Sequence, residues 1–337
     1  MYAPPETIIY DPIQPDTCNA DVYRPCDGDG TAPRDLLIFI HGGAWRTYVP
    51  FSQRLAIDKV SPSNAAFRLY RGDKSDHRDL PDILHRVAHQ HHGDPPFTLP
   101  TIIIPNYRLS AHPDHPTRAA VSHPAHIRDL ATFQRFLGER WDGWTRVRRV
   151  VMVGHSCGAH ILSHLALGLP VLFGGEKEQH EEEEEERRSL RSAVGKVMHK
   201  SSSLAFLDGI YSLRALIHEY PTYRFFVDAA FGTDEQSLWA QGDAFVPLAP
   251  GAAAEEDDGD PALPVVPDEL RRVRKIVVAH ATQDELLTPA QGRLWVDHLR
   301  RVGLQSVVEW DDVTLRGTHD GCLHHEGLGE LLYKLFN

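Results

Sequence analysis

Ser156 stands in the pentad Gly154-His155-Ser156-Cys157-Gly158. A serine hydroxyl is a weak nucleophile until a histidine takes its proton and a carboxylate fixes that histidine's tautomer. The chain offers both types downstream. Asp284 lies in His280-Ala281-Thr282-Gln283-Asp284-Glu285, and His319 in Arg316-Gly317-Thr318-His319-Asp320-Gly321. Serine, acid, histidine is one of the chain orders in which such triads occur. Glu285, Asp208 and Glu219 compete as the acid, and His324 and His325 as the base. A fourth part precedes the serine. Two glycines in His41-Gly42-Gly43-Ala44-Trp45 let backbone N–H groups turn toward an oxygen, as a tetrahedral oxyanion requires. Gly42, Gly43 and the backbone of Cys157 are the candidate donors, which makes the Cys157 thiol a bystander. The plainer alternatives are a βα turn with a helix-capping serine, an ordinary glycine loop, and a turn aspartate ahead of Pro289.

These residues need elements that carry them to one place. Val150-Val151-Met152-Val153 reads as a buried strand entering the pentad, and Ala159 to Ala166 reads as the helix leaving it. Strand, small residue, serine, small residue, helix is the context of a nucleophile elbow, whose tight turn tolerates little bulk. Further apolar strands are expected at Leu36–Ile40, Thr101–Tyr107, Leu204–Gly209, Lys275–Ala279 and Ser306–Trp310. An edge strand is expected near Thr7–Tyr10. Helices are expected from about Ser52 to Val60, Leu80 to Val87, His126 to Leu137, Ser212 to Tyr220, Pro289 to Val302 and Leu328 to Phe336. The strands lack a polar face and alternate with helices. That pattern predicts a mostly parallel central sheet with helices on both faces, a three-layer α/β sandwich. Asp284 and His319 then follow the last two strands, at the carboxyl edge where ligands bind.

Composition narrows the functional classes. Across 337 residues the formal net charge is -12, which disfavours a nucleic-acid binder. No apolar run is long enough to span a bilayer, so no membrane partner is expected. The first residues have neither the basic start nor the apolar core of a signal peptide, and a cytosolic location is expected. The spacing of Cys18, Cys26, Cys157 and Cys322 fits neither a zinc site nor a disulfide scaffold, though Cys18 and Cys26 are close enough in sequence to pair. Most of the 21 histidines sit in polar stretches, where a surface role is the default. Residues 1–34 read as a loose N-terminal segment before a single domain over 35–337. Polar or disordered insertions are expected near 61–100, 174–203 and 242–268. The run Glu181 to Glu186 should repel itself and bury nothing.

The motifs together resemble a known family. His41-Gly42-Gly43-Ala44-Trp45 is similar to the HGGxW signature of kynurenine formamidases (arylformamidases), and Gly154 to His160 resembles their elbow. Asp208-Gly209-Ile210-Tyr211, Glu219-Tyr220-Pro221 and Ala230-Phe231-Gly232 resemble the fungal branch. The resemblance runs from about 35 to 335, apart from the acidic insertions. It implies an α/β-hydrolase fold and hydrolysis of N-formyl-L-kynurenine to L-kynurenine and formate, in tryptophan degradation. The family's nucleophile, acid and base fall on Ser156, Asp284 and His319. No metal or organic cofactor is needed for that chemistry. The implied substrate is a small aromatic formamide, and Trp45 is the candidate to bind its ring, unless it packs beside its own loop. Hormone-sensitive-lipase-like carboxylesterases of small esters are the first rival, although they carry HGGG where Ala44 and Trp45 follow the glycines here. A non-catalytic binding protein on the same fold is the second. Nothing in the sequence decides between a monomer and a homodimer.

Overall fold

The computed structural model describes residues 1–26, 34–46, 73–91, 97–112, 120–168, 181–235, 239, 242, 243 and 266–337. The helix expected at 52–60, the acidic run at 255–258 and the stretches 61–72 and 174–180 lie outside them.

Eight strands form one sheet: β1 (Glu6–Ile9), β2 (Asn19–Tyr23), β3 (Arg34–Ile40), β4 (Thr101–Pro105), β5 (Val147–His155), β6 (Ser201–Leu207), β7 (Lys275–Ala279) and β8 (Val308–Asp311). Their order is β1-β2-β4-β3-β5-β6-β7-β8. From β4 through β8 every neighbouring pair is parallel, and β1 and β2 add an antiparallel edge. Parallel strands need covering on both faces, and the side chains of β3 and β5 divide accordingly. Leu36, Ile38, Ile40, Val150 and Met152 enter one core. Leu37, Phe39, Val151 and Val153 enter the other.

The helices α1 (Leu80–Gln90), α2 (Ala125–Glu139), α3 (Cys157–Ala166), α4 (Glu181–Lys200), α5 (Leu213–Glu219), α6 (Arg224–Phe231), α7 (Ala290–Leu299) and α8 (Glu326–Phe336) supply that cover. α2, α3, α4 and α7 send Leu130, Ile161, Leu190 and Trp295 into the first core. α1 and α8 send Leu84 and Leu332 into the second. The three expected layers are present.

Two expectations change. The edge strand expected near Thr7–Tyr10 is present as β1, but the described residues after it are not loose: Val22 pairs with Ile103, so this part of the chain completes the sheet edge. Asn19–Tyr23 is buried along its whole length although its sequence mixes Asn and Asp with apolar residues. The charged stretch near 174–203 is not a disordered loop over 181–200. Glu183 to Glu186 are exposed, as like charges should be, but the later turns bury Leu190, Val194 and Val197. Tertiary packing of that apolar stripe outweighs the repulsion at the helix start. No helix among the described residues is long and apolar enough to cross a membrane.

Candidate active site

The elbow begins where β5 ends. Ser156 has φ 53 and ψ -123, a sparsely populated conformation for a residue with a side chain. Such strain costs on the order of 1–3 kcal/mol and persists only where surroundings enforce it. Here the Ser156 N–H donates to Leu207 O at 2.8 Å, and the Ser156 carbonyl accepts from Ala159 N at 3.0 Å. The flanking glycines are a packing requirement. A Cβ on Gly158 would lie 2.3 Å from Ile40 O, and one on Gly154 would lie 2.5 Å from Gly158 O. Ser156 itself is 7% exposed.

The glycine loop follows β3 and lies against this turn. A Cβ on Gly42 would come within 3.0 Å of the Ser156 Cβ and 2.9 Å of His155 Nδ1. Gly43, Ala44 and Trp45 have φ of 112, 51 and 58, so successive peptide planes turn out of any regular ladder. Two anchors hold that shape. Tyr107 stacks on His41 at 4.4 Å, and its hydroxyl donates to His41 O at 3.0 Å. The Trp45 N–H donates to Cys157 Sγ at 3.2 Å. The Cys157 thiol therefore has a use that the sequence does not suggest, as a buried acceptor tying the glycine loop to the elbow. Burial pushes its pKa up to about 11, which suits a packed thiol and not a nucleophile.

Asp284 follows β7 and His319 follows β8. The His319 Nδ1 lies 2.7 Å from Asp284 Oδ2, with side-chain exposures of 4% and 0%. Asp284 Oδ1 accepts from Leu286 N at 2.8 Å and Leu287 N at 2.9 Å, so the carboxylate is fully engaged. Burial alone disfavours the charged form of either group. The ion pair outweighs it in both: the His319 pKa is raised, and that of Asp284 is lowered. With Nδ1 directed at Asp284, Nε2 is the nitrogen left to exchange a proton elsewhere. The His319 ring stands 4.7 Å, centroid to centroid, from His155, the residue before Ser156. His155 Nε2 also lies 3.1 Å from His319 O.

The competing residues are placed elsewhere. Glu285 accepts the His319 backbone N–H at 2.9 Å and leaves its ring alone. Glu219 accepts from the Thr288 hydroxyl at 2.6 Å. His324 lies 2.7 Å from Asp79, and His325 caps α8 by accepting from Gly327 N at 3.1 Å. Asp208 is a different case. Its φ is 46, and its side chain is buried at the end of β6. It accepts from Ala281 N at 2.7 Å, lies 3.1 Å from His280 Nδ1, and accepts from Cys322 Sγ at 3.5 Å. It thus ties together the loops that carry Asp284 and His319. Its position past a strand end was the only sequence signal for this.

Two expectations are corrected at the site. Trp45 is fully buried, so it offers no surface to a substrate. Its ring packs edge-on against His160 at 5.1 Å and Phe231 at 4.9 Å. Nor are the histidines among the described residues mostly superficial: ten of them are buried, including the six rings of His41, His77, His126, His155, His160 and His164. Burial lowers the pKa of each of these six, which keeps these rings neutral and compatible with a core. All four cysteines are free thiols. Several His, Cys and Asp groups around His319 and Asp208 come within 4.8 Å of one another.

The chain is similar to known proteins both in sequence and in fold. No family model matches it. The kynurenine formamidase of Meyerozyma guilliermondii is 27% identical over 313 residues, 92% of this chain and 86% of that protein. The kynurenine formamidase of Debaryomyces hansenii is 24% identical over 316 residues, 88% of this chain and 89% of that protein. This chain is similar to fungal kynurenine formamidases over most of its length. Among solved structures, esterase B of Lactobacillus rhamnosis has a TM-score of 0.58 at 16% identity, covering 99% of this chain and 86% of that one. An esterase of Thermogutta terrifontis has a TM-score of 0.53 at 13% identity, covering 98% and 90%. The fold is the α/β-hydrolase fold expected from the motifs.

Proposed function

We propose that the protein hydrolyses N-formyl-L-kynurenine to L-kynurenine and formate, the deformylation step of tryptophan degradation. One observation carries the chemistry: a strained serine elbow beside a buried His319–Asp284 pair, the nitrogen and oxygen 2.7 Å apart. The similarity to fungal kynurenine formamidases supports the substrate. A cytosolic setting is part of this proposal.

Ser156 Oγ attacks the formyl carbon while His319 Nε2 takes its proton. Asp284 keeps Nδ1 protonated and stabilises the imidazolium that forms. The carbonyl oxygen becomes an oxyanion, for which the backbone N–H groups of Gly42, Gly43 and Cys157 are the proposed donors. The C–N bond then breaks, and His319 returns the proton to the departing aromatic amine. Water, deprotonated by the same imidazole, attacks the formyl-serine ester. Formate leaves and Ser156 recovers its proton. An arylamine departs more readily than an alkylamine, so an esterase-like arrangement suffices.

Steady-state assays of the purified protein test this reading, with N-formyl-L-kynurenine set against short p-nitrophenyl esters. Formamide turnover is expected. A strong ester preference with no deformylation would replace the reading by a small-ester esterase.

A further inference from the structure

Burial of Trp45 leaves the substrate ring without its expected partner, and the segment after β6 supplies one. That segment leaves the carboxyl end of β6, runs through α5, makes one turn over Pro221–Tyr223 and continues as α6. It carries a row of aromatic side chains. Tyr220 and Tyr223 stack at 4.9 Å with their planes 16° apart. Tyr223 meets Phe226 at 5.1 Å, and Phe225 stands edge-on to Phe226 at 5.4 Å. Only Phe226 of the four is buried, and Phe225 is 42% exposed.

Both ends of the row are tied to the candidate site. The Tyr223 hydroxyl donates to Leu286 O at 2.9 Å, and the Leu286 N–H is held by Asp284. At the other end Phe226 lies 6.2 Å from Trp45, whose N–H is bonded to Cys157. Arg46, the next residue, sets its guanidinium 4.1 Å from the centre of the Phe225 ring. The row therefore joins the acid loop to the glycine loop, which adjoin Ser156 through His319 and Gly42. It does so at the carboxyl edge of the sheet, where ligands of this fold class bind. Tyr220, Tyr223 and Phe225 each keep part of their ring in water, so area is left for a further aromatic contact. Aromatic rings associate best offset or edge-on, as this row offers.

We infer that Tyr220, Tyr223 and Phe225 form the platform that receives the aromatic ring of the substrate, with Arg46 drawing an anionic substituent to its edge. The ligand class is an aryl ketone or amide carrying a carboxylate. The inference rests on the proposed deformylation for its choice of substrate, and binding tests it apart from turnover.

Calorimetric titration of the full chain uses two probes, L-kynurenine and the neutral 2-aminoacetophenone. Phe225→Ala, an exposed position, is expected to weaken both by roughly three- to tenfold, the scale of one aromatic contact. Tyr220→Ala should act in the same direction. Arg46→Gln should weaken L-kynurenine and spare 2-aminoacetophenone, which a general loss of structure would not do. Unchanged affinities in both aromatic variants would overturn the platform, as would wild-type protein that binds neither probe. Equal losses of both ligands in Arg46→Gln would overturn the role of the charge. Wild-type protein that binds both probes but deformylates nothing would sustain the platform and refute the proposed reaction.

Discussion

His319 Nδ1 and Asp284 Oδ2 are 2.7 Å apart, in a pair whose side chains are almost wholly withdrawn from water. Burial opposes protonation of the imidazole, but the Asp284 charge and hydrogen bond, helped by Asp320 and Asp208, raise its pKa above the ordinary 6.5. A general base must be neutral to act, so kcat/KM should rise with pH through a limb above 6.5. In Asp284→Asn the opposing burial remains and the main carboxylate is gone. Its limb should move to lower pH, on a rate reduced by about 10⁴-fold. A limb that stays in place would remove Asp284 from this role. The pH dependence of kcat/KM for both proteins is the measurement.

Asp208 supports both loops at once, through Ala281 and through Cys322. Asp208→Ala should lower kcat far more than it changes KM, because small displacements of reacting groups cost up to about 10²-fold. Asp208→Asn keeps an acceptor for the Ala281 N–H and should recover part of the loss. Equal kcat in all three proteins would mean that the loops hold their geometry without it.

Gly42 has no room for a side chain beside His155 and Ser156. In Gly42→Ala the loop must withdraw, carrying its N–H groups with it. Loss of one oxyanion donor costs about 10²–10³-fold in kcat. Steady-state kinetics on folded variant protein should give a loss of that order, and a fully active variant would place the donors elsewhere.

Cys26 is the exposed cysteine, while Cys18, Cys157 and Cys322 are buried. A thiol reagent should titrate one equivalent in the native protein and leave activity intact. Burial raises the Cys157 pKa to about 11, which keeps that thiol unreactive at neutral pH. Rapid modification of Cys157 with parallel inactivation would contradict its place as a buried acceptor.

The parts of the site that travel with local sequence were legible. A buried aliphatic strand, two glycines and a helix identify the elbow around Ser156, because the sterics act within a few residues. Asp284 and His319 were legible from their places after late strands. What escaped is decided by long-range packing. Trp45 in the sequence leaves substrate contact and packing beside its loop equally open, and it is the distant Phe231 and His160 that pack against it. The glutamates at the start of α4 conceal an amphipathic helix whose apolar stripe begins only at Leu190. β2 has mixed polarity and becomes a strand through its pairing with β4. The Cys157 thiol bond to Trp45 joins residues 112 positions apart, beyond any local pattern.

The most direct measurement is release of L-kynurenine and formate from N-formyl-L-kynurenine by purified wild-type protein and by Ser156→Ala. Deformylation by the wild type is expected, falling by roughly 10⁴-fold or more in the folded variant. No deformylation by the wild type, or the same rate in both proteins, would contradict it.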